Sequence, residues 1–183
     1  MRLPTSLMIR GRRALLLTGA LLLCAVGARA QTTKGGKIDP GWLRADAASK
    51  TADFKLVAGL TGANGGMNFN GFSQGGLVLT VPQGWNVVLH FKNEDPNLPH
   101  SVEVIAEAPA VPSGPVPPAF EHATTGRLEQ GFTSGQSADV RFVAAKSGAF
   151  SIFCAVPGHG AAGMWIRLAV SGSAEKPALA TAP

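Results

Sequence analysis

Phe153-Cys154-Ala155-Val156-Pro157-Gly158-His159-Gly160-Ala161-Ala162-Gly163-Met164-Trp165 places a thiol, an imidazole and a thioether in one short loop. Four residues separate Cys154 from His159, and four more separate His159 from Met164. The stretch 149–154 leads in as a strand and 164–170 leads out as another, so the loop connects two strands. Pro157 and the glycines at 158, 160 and 163 let it turn tightly. Thiolate, imidazole and a weak thioether form the ligand set of a blue-copper site, which needs one more histidine. His100, in Asn97-Leu98-Pro99-His100-Ser101-Val102, is the candidate. Cys154, His100 and His159 would make the trigonal plane, with Met164 as the long axial contact.

Each piece taken singly has a plainer explanation. A histidine at the start of a strand is usually a surface or turn residue, and a methionine usually packs in a core. The combination outweighs them. His90 lies mid-strand and His122 follows a proline-rich loop. Both read as structural or exposed, with His122 no more than a surface metal contact.

Outward from the loop, the chain is a series of short alternating runs. Residues 51–58, 67–72, 77–81, 86–91, 100–106, 137–143, 149–154 and 164–170 all read as strands. In 86–91, Val87, Leu89 and Phe91 share one face; in 137–143, Val140 and Phe142 point inward. Asn70-Gly71 carries turn chemistry. Asp39 and Pro40 read as the cap and first turn of a short helix reaching about residue 49. Five prolines within 109–118 mark an extended surface loop rather than a linker. The expected fold is an all-β, Greek-key β-sandwich with antiparallel strands and a short N-terminal helix. The expected organisation is a signal peptide at 1–30, a flexible N-terminus at 31–39, one domain at 40–171 and a flexible tail at 172–183.

The chain has 183 residues, enough for one domain with a core plus a targeting segment. Arg2, Arg10, Arg12 and Arg13 precede an apolar run at 14–26, too short to span a bilayer comfortably. Ala28-Arg29-Ala30 is a cleavage signature. Export by an ordinary secretory signal is expected, to the periplasm or outside the cell. Arg12-Arg13 partly matches the twin-arginine pattern, and an uncleaved anchor is the third option.

Of 16 Lys and Arg, five arginines fall in residues 1–30, where none of the 11 Asp and Glu does. The remainder is charge-balanced and holds no basic stripe, which argues against a nucleic-acid partner. Of the two cysteines, Cys24 lies in the leader, so Cys154 is left alone in an oxidising compartment. A lone cysteine there is a buried apolar side chain, an intermolecular disulfide partner, a nucleophile or a metal ligand. Its neighbours favour the last.

The segments 67–72, 100–102 and 153–165 resemble the cupredoxins, most closely the sulfocyanins, over roughly residues 40–171. The ligand loop has the spacing found in rusticyanin and is longer between Cys and His than in plastocyanin. The resemblance implies a periplasmic or cell-surface carrier binding one type 1 copper through His100, Cys154, His159 and Met164. Its partners would be redox proteins such as a cytochrome c or a terminal oxidase, and membrane contact would come only through a partner or an uncleaved signal. Many sulfocyanins keep an N-terminal anchor, whereas this leader looks cleavable. Position in relatives suggests that Ser101 bonds the backbone near Cys154, and the Val156 amide is expected to bond the Cys154 sulfur. A copper storage or delivery protein, or a copper-binding subunit of a larger oxidoreductase, is the alternative. An enzyme is not expected, because four ligands leave no open position and two further histidines are too few for a trinuclear centre.

Overall fold

The computed structural model describes residues 36–183; the predicted signal peptide at 1–30 lies outside them. Nine strands form two sheets. They are β1 (Leu43–Asp46), β2 (Thr51–Ala58), β3 (Leu77–Pro82), β4 (Asn86–Asn93), β5 (Glu103–Ala106), β6 (Ser137–Val143), β7 (Gly148–Phe153), β8 (Trp165–Ser171) and β9 (Ala178–Thr181). One sheet has the order β1-β2-β4-β6 and the other β5-β7-β8-β3-β9.

The alternation seen in sequence is what buries the core. In β2, Ala52, Phe54, Leu56 and Ala58 are all fully buried. Across the sandwich, Leu77, Leu79 and Val81 of β3 and Ile166 and Leu168 of β8 complete the core. Val140 and Phe142 point in, as the pattern of β6 predicts. Phe54, Phe69, Phe72 and Phe91 are all essentially out of water. Each such side chain contributes roughly 1.5–3 kcal/mol.

Several expectations are corrected. The sheets are mixed rather than antiparallel: β2 runs parallel to β4, and β3 parallel to β8. The chain crosses between sheets from β2 to β3 and back to β4, so the strand it rejoins runs the same way. The predicted helix is only a 3-10 turn, Pro40–Trp42, although Asp39 does cap it by accepting from the Gly41 amide. The chain then leaves as β1, pairing antiparallel with β2.

Residues 67–72 form a tight turn, not a strand. Asn70 and Gly71 both have positive φ, as the turn chemistry requires, and Phe69 and Phe72 exchange backbone bonds. Asn70 serves as a stand-in strand. Its side chain accepts from the Val57 amide at 2.8 Å and donates to the Lys55 carbonyl at 2.9 Å, beyond the reach of β1. The tail expected to be flexible contains β9, which pairs antiparallel with β3. Residues 109–118 carry no strand or helix, as predicted.

Candidate metal centre

Cys154 follows the last residue of β7, and Met164 precedes the first residue of β8. The Cys154 amide donates to the Met164 carbonyl at 3.0 Å, which extends the β7–β8 ladder one step into the loop. Inside the loop, the Met164 amide donates to the His159 carbonyl at 2.9 Å, and the His159 amide to the Val156 carbonyl at 3.1 Å. Gly158 and Gly163 take the positive φ values that these closures need. His100 is mounted differently. It exchanges two backbone bonds with Phe132, at 3.1 and 2.7 Å, so its segment is gripped before β5 begins.

This mounting brings three of the four predicted ligands together. Cys154 Sγ lies 3.5 Å from His159 Nδ1 and 3.8 Å from His100 Nδ1, and the two Nδ1 atoms are 3.2 Å apart. A triangle with these sides has its centre about 2.0 Å from each corner, a metal–imidazole bond length and a few tenths short of a metal–thiolate one. Met164 is fully buried and shares the core cluster of Cys154. The set fits a metal ion on chemistry as well as on spacing: one soft sulfur and two imidazole nitrogens face one point.

Burial sets the protonation of these groups. It pushes the Cys154 thiol up to about 11, against the opposing amide hydrogen bonds from Ser101 and Val156. It pulls His100 down to about 4, with Asp95 opposing and His159 reinforcing the drop. It lowers His159 too. Both rings are therefore neutral near pH 7, the form that binds metals.

The link from Ser101 to Cys154 differs from the expected one. The Ser101 amide reaches Cys154 Sγ at 3.4 Å, while the hydroxyl donates to the Leu128 carbonyl at 2.8 Å. The Val156 amide acts on the thiol in the expected direction, favouring its ionised form. His90 and His122 are not in the site. His90 sits between Asp139 and Asp53, at 2.9 and 3.1 Å, and His122 is exposed beside Glu121.

Sequence reasoning missed Asp95. Its carboxylate is buried, 3.4 Å from His100 Nε2, and accepts from the Asn97 and Leu98 amides. Burial alone would raise its pKa; those amides and His100 outweigh it and leave it below the usual value. An acid five residues before a predicted ligand, followed by a proline, was the available signal.

The Sulfocyanin (SoxE) domain family matches residues 41–181. This chain belongs to the sulfocyanin family. It is 29% identical to the sulfocyanin of Sulfolobus acidocaldarius over 136 residues, 70% of this chain and 68% of that protein. Two crystal structures of rusticyanin variants share its fold, each at 21% identity with a TM-score of 0.50, covering 76% of this chain and 88% of theirs. The sulfur and two imidazoles gathered here are donor types that suit a single copper ion.

Proposed function

We propose that this sulfocyanin carries single electrons between redox proteins outside the cytoplasm. Copper would be held by His100, Cys154, His159 and Met164. Bound there, copper supplies a one-electron couple. The chain's part is to keep the donors still, because a site that moves little between oxidation states exchanges electrons with a small reorganisation cost. The carrying observation is that all the donors are anchored by backbone bonds to strands or bridges before any metal is added.

The surface supports the same reading. His159 is the half-exposed ligand; Cys154, His100 and Met164 are buried. Around it, Pro157, Gly158, Ala161 and Ala162 are exposed, and no charged residue occurs from 147 to 166. The loop 109–118 lies alongside, also without a charge, and the Gly158 amide donates to the Ser113 carbonyl at 2.7 Å. These two uncharged stretches let a partner approach closely, with the imidazole edge as the exit. Partners would be a cytochrome c or a terminal oxidase. The leader at 1–30 supports export to the periplasm or beyond.

The test is metal analysis with a visible spectrum of the purified protein. An intense thiolate-to-Cu(II) band toward the red, bleached by reductant and abolished by Cys154→Ser, is expected. A copper-loaded, oxidised sample that stays colourless would reject the proposal. Rapid surrender of the metal to a chelator would favour copper delivery instead.

A further inference from the structure

We infer that Asp95 is a positioning residue of the copper site: its carboxylate fixes the His100 ring with a bare Nδ1 toward Cys154 and His159, and lowers the reduction potential.

The first support is geometric. His100 Nε2 has one hydrogen-bond partner among the described residues, Asp95 Oδ2 at 3.4 Å. That distance is long for a charge-assisted bond. However, the two side chains are only 0% and 5% exposed, so water competes little. A neutral imidazole carries one proton. With an acceptor behind Nε2, the proton belongs there, and Nδ1 is left with a free lone pair for a metal. Nδ1 is the atom 3.2 Å from its His159 counterpart and 3.8 Å from the sulfur.

The second support is the cradle. Asp95 Oδ1 accepts from the Asn97 and Leu98 amides at 2.8 and 3.0 Å. The Asp95 amide donates to Asn93 Oδ1, and the Asn93 side chain donates to the carbonyls of Leu98 and Phe132. Phe132 is the residue that grips the His100 backbone. Carboxylate, ring and backbone therefore close one circuit. Space for it is reserved by two glycines with positive φ. A Cβ on Gly59 would lie 2.5 Å from the Asp95 Cβ, and one on Gly66 would overlap Oδ2.

Two consequences follow from the charge. A buried anion behind a ligand makes that imidazole a stronger donor. It also favours the more positive oxidation state of an ion a few ångströms away, so removing it raises the potential.

Asp95→Asn tests both. The asparagine must keep its carbonyl oxygen on the two amides, which turns its NH2 toward Nε2, donor against donor. In metal-free protein, 15N NMR of the imidazoles should show His100 as the Nε2–H tautomer in the wild type and as Nδ1–H in the variant. The Cu(I)-over-Cu(II) affinity ratio should rise ten-fold or more, about 59 mV upward for one electron. A folded variant with both properties unchanged would overturn the inference. If the variant fails to fold, the wild-type tautomer decides alone: Nδ1–H in metal-free wild type overturns it, Nε2–H supports it. The inference rests on the copper site and not on electron carriage. The tautomer is read without metal, so its failure is distinguishable from failure of the proposed function.

Discussion

His100 is buried as a neutral ring, and that has a stability consequence in the metal-free protein. An unfolded chain takes up a proton at this residue near its ordinary value of 6.5, the folded chain only near 4. Between those values the unfolded state binds more protons, so stability is lost as pH falls through the window. The full shift corresponds to about 3 kcal/mol. Denaturant titration of metal-free protein at pH 7 and pH 4 should show a loss of that order, and copper-loaded protein should lose at least as much over the same window, because the unfolded chain takes up protons at ligands that the metal keeps bare. The ligands themselves were legible because few contexts put a thiol, an imidazole and a thioether in one turn. Asp95 was not, because an acid before a proline reads equally well as an exposed strand break. Its burial depends on Gly59 and Gly66, some thirty residues away in sequence.

At the scale of elements, the loop 109–118 does more than connect. Glu103 alternates with Val102 and Val104, which face the core, and so points to the other side of β5. The loop covers that side, and Glu103 becomes fully buried, with the Val116 amide 3.3 Å from Oε2 and no partner for Oε1 among the described residues. Burial raises its pKa above the ordinary 4.5. The folded state then holds a proton that the unfolded chain has released, so stability falls as pH rises above 4.5 toward the raised value. Glu103→Gln keeps the Val116 contact and removes the ionisation. It should raise the melting temperature at pH 7 and change it little at pH 4. The loop also reaches the metal centre, because a Cβ at Gly160 would lie 2.6 Å from the Pro112 carbonyl oxygen and from the Phe153 ring. From sequence the loop was legible as extended, since five prolines exclude helix and ladder. Its cover of a buried acid was not, because burial there depends on a fold-back rather than on local pattern.

For the whole molecule, alternation revealed seven of the nine strands, and with them the sandwich. It could not reveal pairing: β2 with β4 and β3 with β8 are parallel because the chain changes sheets between neighbours. Nor could it show β9, a short run of small residues in an Ala- and Pro-rich tail whose partner lies about a hundred positions earlier. The same topology places β7, β8 and the segment before β5 at one end of the sandwich, so the ligands gather beside the uncharged stretches 147–166 and 109–118. Electrons should leave there. A charge on that surface must be desolvated or left facing a partner at close approach, and neither is favourable. Two copies of this chain meeting through it would place like charges together. Ala161→Asp is exposed and adds no ligand, so the visible spectrum and copper content should match the wild type. Electron self-exchange between oxidised and reduced copies, measured by NMR line broadening, should slow by an order of magnitude or so and recover partly with added salt. An equal charge at Ala149, exposed in β7 and away from the ligand loop, should leave the exchange rate unchanged.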